Sequence, residues 1–135
     1  MLTKYDPEHA PDPARWLAED EQQLISIIER YHRRERIDIE RPQLHAVIHM
    51  VVEKQVAMGD ELPVAEAVQR LMGEGLSRHE AIHAVGAVLM GYLSEALRSD
   101  SGPDNEAYNR EVRALTKEKW YADYGPEEEE EGEED

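Results

Sequence analysis

Two short segments carry histidine pairs at a spacing suited to metal binding. Residues 45–49 read HAVIH and residues 79–83 read HEAIH, so His45, His49, His79 and His83 form two HxxxH pairs. Side chains four residues apart lie on the same side of an α-helix, so both imidazoles of a pair can reach one ion. Helix bundles commonly build metal sites from such pairs on facing helices. We therefore predict one metal site that uses all four histidines.

The available ligand types narrow the choice of ion. The chain has no cysteine, which excludes thiolate zinc sites and iron–sulfur clusters. Four neutral imidazoles suit a closed tetrahedral zinc ion, and zinc is the expected cofactor. Iron, nickel or manganese become alternatives if carboxylates join the shell. Glu53, one turn beyond His49, and Glu80, inside the second pair, are the candidate additional ligands or supporting residues.

The segment 79–83 also spells HExxH, the motif of a large class of zinc peptidases. A peptidase needs a third ligand that leaves one position open for water, and no histidine follows His83. Glu80 has a second explanation, because Ser77 and Glu80 form the S-x-x-E pattern of a helix capping box. We favour capping for Glu80. Whether the protein is an enzyme stays open, with zinc peptidase activity disfavoured.

The pattern of apolar residues predicts helices throughout and no strands. Apolar residues recur at three- and four-residue steps, and no stretch alternates with a period of two. Proline, Ser, Asp and Gly mark the ends of the segments. The sequence thus predicts an all-α, compact bundle of about five helices, over about 13–34, 42–58, 63–73, 77–99 and from 104 or 105 onward.

Length and charge define the organisation of the chain. We predict an N-terminal arm at 1–11, a single helical domain at 12–124 and a disordered tail at 125–135, where eight acidic groups and no apolar residue follow Pro126. The net charge of −16 argues against nucleic acid or an anionic membrane as partner. No apolar run approaches the roughly 20 residues of a membrane span, so a soluble cytoplasmic protein is expected. A basic protein partner for the tail and a homodimer stay open.

The histidine helices also resemble a known family. RPQLHAVIHMVVEKQ, then HEAIHAVGAVLMGYLSEALR and EAYNREVRAL, are similar to short uncharacterised bacterial proteins of unknown function. The resemblance covers about residues 42–115. It implies the paired histidine helices and carries over Gln55 and Glu80, which with Glu53 are possible additional ligands or supporting residues, and it implies no activity. The family pattern has an acid directly before the glutamine, where this chain has Lys54, which weakens Glu53 as a ligand.

Three hypotheses of different classes follow from these features. The first is a metal-binding helical protein whose ion is structural or is carried and sensed. The second is a metalloenzyme, either hydrolytic through Glu80 or oxidative at an iron centre with Glu53 and Glu80 as added ligands. The third is a metal-free protein-interaction module, in which the histidines are structural and the acidic tail recruits a partner. The first is the preferred interpretation, because two histidine pairs on two helices seldom arise by chance.

Overall fold

The structure, a computed structural model, describes residues 1–37 and 39–124, and these residues fold into helices. Within the described residues there are seven α-helices, α1 (Pro13–Ala18), α2 (Glu21–Arg34), α3 (Pro42–Ala57), α4 (Val64–Gly73), α5 (Arg78–Ser99), α6 (Asn105–Ala114) and α7 (Lys117–Tyr124), with a 3-10 turn at Gly59–Glu61. The described part of the chain contains no strand. The prediction of a compact all-α fold is confirmed.

Two helix boundaries differ from the prediction. The first helix does not run unbroken to Arg34, because the chain leaves the helix at Glu19 and restarts at Glu21. Asp20 explains the break, since its carboxylate accepts a hydrogen bond of 3.1 Å from the amide of Gln23 and so caps a new helix. At the other end, the Thr116 hydroxyl accepts from the amide of Lys119 and starts the unpredicted helix α7. The predicted starts of α3, α4 and α5 are confirmed.

The core has two parts, and α3 contributes to both. One part joins α4, α5 and α6 to one side of α3, with Val68, Leu71 and Val85 among its buried residues. The other joins the N-terminal arm, α1 and α2 to α3, and Trp16 and Ile28 lie at its centre. Since α3 lies between the two parts, its side chains face both α2 and α5. This placement brings the helices that carry histidines together.

Helices α3 and α5 approach each other closely at Gly86. A Cβ atom at this position would lie 2.8 Å from Cγ2 of Ile48 on α3. Real Cβ contacts are longer than this, and Ile48 is β-branched and cannot turn its methyl group away easily. Glycine at position 86 therefore sets the spacing of the two helices that carry the histidine pairs.

In the Gly86→Ala variant the added methyl group must push α3 and α5 apart, which costs about 1–3 kcal/mol. Alanine contributes roughly 1 kcal/mol to a helix relative to glycine, so we expect a net loss of about 0–2 kcal/mol of stability. Gly91→Ala is the matched control on the same helix, since no atom lies within 4 Å of its Cβ position. The control should become more stable. Urea unfolding of both variants tests this, and equal stabilisation by the two alanines would contradict the close approach.

The N-terminal residues pack against the helices. Tyr5 is only 3% exposed and its ring lies 5.4 Å from that of Trp16. The amide of Leu2 donates to Glu19, and the side chain of Gln23 donates to the carbonyl of Leu2. The predicted arm at 1–11 is therefore held on the surface of α1 and α2.

Two further predictions concern the C-terminal tail and the absence of a membrane-spanning segment. The disorder predicted for 125–135, and the basic partner suggested for it, lie outside the described residues. Among the helices that the structure does describe, none combines the length and the apolar character needed to cross a bilayer.

Candidate metal centre

The two predicted histidine pairs come together between α3 and α5. His45 and His49 lie on α3, and His79 and His83 lie one turn apart at the start of α5. Nε2 of His83 is 3.1 Å from Nε2 of His49 and 3.3 Å from Nε2 of His45. The ring centroids of His49 and His79 are 5.1 Å apart. All four predicted histidines thus share one site.

A fifth histidine, His32, which was not among the predicted ligands, joins them from α2. One ligand atom from each of His32, His45, His49, His79 and His83 lies within 4.8 Å of every other. Nitrogens around one ion at about 2.1 Å would be roughly 3.0 Å apart when adjacent and 4.2 Å apart when opposite. The observed spacing is close to this range. Below, the histidine cluster means these five residues.

A signal for His32 was present in the sequence. His32 lies four residues after Ile28 and eight after Leu24, so it shares the helical phase of two fully buried residues. A histidine at a core position of an amphipathic helix needs a polar partner inside the protein. Because α2 carries only one such histidine, His32 is not part of an HxxxH pair.

In His32 and His49, hydrogen bonds to groups outside the cluster determine which ring nitrogen carries the proton. Nδ1 of His32 lies 2.9 Å from the carbonyl oxygen of Ile28, which can only accept, so Nδ1 carries the proton. The hydroxyl of Tyr5 donates to Glu53 at 2.7 Å and therefore accepts from Nδ1 of His49 at 3.0 Å. Burial raises the pKa of Tyr5, which keeps its hydroxyl protonated for this role. In both histidines, Nε2 then holds a lone pair that faces the cluster.

The Nε2 atoms of the cluster cannot all form hydrogen bonds with one another. Nε2 of His32 and Nε2 of His79 are buried and have no hydrogen-bond partner among the described residues. Nε2 of His83 contacts two nitrogens but can supply only one proton to them when the ring is neutral. Buried polar atoms without partners are rare and costly. A cation at the centre of the cluster would satisfy all five lone pairs.

The surroundings keep these rings neutral. Burial, followed by the neighbouring imidazoles, lowers the pKa of His45 from 6.5 to about 4 and that of His83 to about 3. The pKa values of His32, His49 and His79 are also lowered, with burial as the main cause in each. Metal ligation requires neutral imidazole, so the environment favours the protonation state that binds metal.

These pKa shifts predict acid sensitivity of the metal-free protein. In the unfolded chain the histidines take up protons as the pH falls below about 6.5, whereas the folded protein resists until about pH 4 or lower. The stability contributed by neutral rings is therefore complete above about pH 6.5 and is lost towards pH 4. We expect the urea midpoint to fall between pH 7 and pH 5. A midpoint that stays constant down to pH 5 would contradict the lowered pKa values.

Glu53 lies behind the cluster and not among its nitrogens. Its carboxylate forms two hydrogen bonds of 2.8 Å with the guanidinium of Arg78, and it accepts a third from Tyr5. Glu53 is 1% exposed and Arg78 4%, so this ion pair is buried. Arg78 also donates to the carbonyl of Pro7 at 2.9 Å. Glu53 thus positions Tyr5 and, through it, His49.

The other two suggested residues also point elsewhere. Glu80 accepts from the amide of Ser77 at 2.9 Å, while the Ser77 hydroxyl accepts from the amide of Glu80 at 3.0 Å. The capping box predicted at the start of α5 is therefore present, and Glu80 is exposed. Gln55 accepts from the hydroxyl of Tyr108 at 2.6 Å, on the side of α3 that faces α6. The glutamate of the HExxH motif is thus bound to its own helix end.

A cavity of about 440 Å³ opens beside the cluster. Its wall includes three of the five histidines, His45, His49 and His83. Most of its remaining lining is apolar and comes from α3 and α5, while Glu40 and Arg41 line it where α3 begins. A second cavity of about 280 Å³ reaches His32 and His45. The cluster is therefore reachable from spaces large enough for small molecules.

The fold and the histidine cluster define a small all-α protein with a candidate metal centre between three helices. The chain belongs to the family described as Domain of unknown function (DUF1841), whose model matches residues 15–114. The matched region contains all five histidines of the cluster. No curated protein and no solved structure matches the chain.

Proposed function

We propose that the protein binds one divalent transition-metal ion through His32, His45, His49, His79 and His83. The observation that carries the proposal is the set of five histidines whose ligand atoms lie within 4.8 Å of one another, with Nε2 of His32 and Nε2 of His79 buried without a partner in the described structure. The outer hydrogen bonds of His32 and His49 support it, because metal-binding histidines usually donate their other N–H to a carbonyl or a carboxylate-linked group.

The fifth histidine changes which ion we propose. Structural zinc sites are almost always tetrahedral, and five imidazoles exceed that number. Iron, nickel, cobalt and copper accept imidazole and favour higher coordination numbers, whereas manganese prefers oxygen ligands. We therefore treat zinc, iron and nickel as equal candidates and no longer prefer zinc. A six-coordinate ion held by five histidines keeps one position for an outside ligand.

The test is the metal content and coordination of protein expressed without a histidine tag, since a tag would introduce nickel during purification. We expect one ion per chain and X-ray absorption that fits about five imidazole nitrogens. Four nitrogens in a tetrahedral shell would restrict the site to the four histidines of α3 and α5. Failure to bind Zn²⁺, Co²⁺, Ni²⁺ or Fe²⁺ would overturn the proposal.

The hydroxyl of Tyr5 provides a test of the outer shell. Tyr5→Phe keeps the ring that packs on Trp16 but removes the group that accepts from His49 and donates to Glu53. We expect metal affinity to fall about 10–100-fold, the usual effect of losing such a partner. Competition with a chelator of known affinity measures this change.

The control for this variant is Tyr92→Phe, which removes a hydroxyl that donates to Glu111 at 2.8 Å on another part of the protein. Its metal affinity should equal that of the wild type. Equal affinities in all three proteins would show that Tyr5 does not orient His49.

A further inference from the structure

We propose that the cavity beside the histidine cluster binds a small molecule that has an anionic donor group, such as a carboxylate, attached to an apolar body. This inference rests on the proposed metal ion and adds the chemical class of its outside ligand. Three observations support it: where the cavity lies, the charge of the centre and the nature of the cavity wall.

The position of the cavity joins it to the ion. His45, His49 and His83 form part of its wall, and Nε2 of His83 lies within 3.3 Å of the Nε2 atoms of both other rings. An ion bound to these nitrogens is therefore adjacent to the cavity. A molecule in the cavity can place one atom at the coordination position that five histidines leave free.

The charge of the centre favours an anion at that position. Five neutral imidazoles do not reduce the charge of a divalent ion, and no carboxylate belongs to the cluster in the described part of the chain. The nearest buried carboxylate, Glu53, is already neutralised by Arg78. The centre thus keeps a net positive charge in a partly buried place, where Coulomb attraction is stronger than in water. Arg41 and Glu40 both line the cavity, so their charges offset each other and the net positive charge beside the cavity is that of the ion.

The wall of the cavity favours an apolar body. Leu44 and Ile48 from α3 face Ile82, Ala87 and Met90 from α5 across it. A volume of about 440 Å³ is within the range of small-molecule sites, which are mostly apolar with a few placed polar groups. The carboxylate would bind the ion and the apolar chain would lie between α3 and α5.

Octanoate and acetate test the proposal, because they share a carboxylate and differ by six methylene groups. Each ligand is titrated into Co²⁺-loaded protein, and the visible absorption of the cobalt reports a change in its coordination. Each buried methylene contributes about 4-fold to affinity. We expect both ligands to change the spectrum and octanoate to bind at least 100-fold more tightly. Octanamide, which keeps the chain but lacks the charge, should bind at least 10-fold more weakly than octanoate.

Two variants locate the site. Ala87→Leu fills the part of the cavity one helical turn beyond His83 and removes no ligand atom, so cobalt and acetate should still bind while the preference for octanoate falls below 10-fold. Ala114→Leu, at an exposed alanine of α6, should retain the full preference.

The outcomes separate this inference from the metal proposal. Cobalt binding with equal affinity for acetate and octanoate would overturn the cavity ligand and leave the metal centre standing. Octanoate binding that leaves the cobalt spectrum unchanged would also overturn it, since the carboxylate would not reach the ion. Failure of cobalt and the other divalent ions to bind would overturn both proposals.

Discussion

The melting temperature of the wild-type protein should rise by about 10 °C when the metal is added at a hundred times its dissociation constant. Binding to the folded state alone raises the free energy of unfolding by about 2.7 kcal/mol under these conditions. Each 1 kcal/mol shifts the melting temperature of a domain of this size by about 4 °C. His83→Ala should remove most of the rise, because Nε2 of His83 lies between those of His45 and His49. Differential scanning calorimetry with metal and with chelator measures the shift.

The readout is the difference that metal makes within each protein, so a variant that is itself less stable still gives an answer. His9→Ala is the matched control, since His9 is exposed and its ring is paired with Asp6 away from the histidine cluster. It should retain the full rise. A wild-type melting curve that responds to neither metal nor chelator would favour the hypothesis of a metal-free interaction module.

Replacing Arg78 with methionine should destabilise the protein by about 3–5 kcal/mol. The change leaves the carboxylate of Glu53 buried without its cation, and the side chain of Glu53 is 0% exposed. A buried charge without its partner destabilises a protein far more than replacement of both partners by apolar residues. Replacing both partners, as Glu53→Leu with Arg78→Met, should therefore recover much of the loss. Urea unfolding in the presence of chelator measures the effect without a contribution from metal.

Arg98→Met provides the comparison at the surface. Arg98 pairs with Glu95, and their side chains are 70% and 65% exposed. Exposed pairs contribute about 0–1 kcal/mol, so this variant should be nearly as stable as the wild type. Similar losses for the two arginine variants would mean that the buried network around Glu53 contributes no more than a surface pair.

Local patterns in the sequence were sufficient for the helical fold and for the two histidine pairs. Pro42, Pro63 and Ser77 mark helix starts through backbone chemistry that does not depend on the rest of the fold. The spacing of His45 with His49 and of His79 with His83 is likewise a property of a single helix. That the two pairs meet follows from their position beside the apolar face of each helix.

The residues that the prediction missed or misplaced depend on contacts between distant segments. His32 joins the cluster because α2 packs on α3; its spacing from Leu24 and Ile28 indicates that it is buried but not which side chains it meets. Glu53 was a candidate ligand because it shares a helix side with His49, yet Arg78, 25 residues later, takes both of its oxygens. The role of Tyr5 depends on its hydrogen bond with His49, which lies 44 residues later in the sequence. Tertiary packing determines which of several possible partners each of these side chains contacts.

The division of the core into two parts has a consequence for the order in which the histidines become available during synthesis. The part formed by the arm, α1, α2 and α3 already contains His32, His45 and His49. His79 is made 30 residues after His49, which takes roughly 2–6 s at about 5–20 residues per second. An ion captured in that interval would have three imidazoles and would exchange readily. The arrival of α5 would then complete its coordination and slow its release.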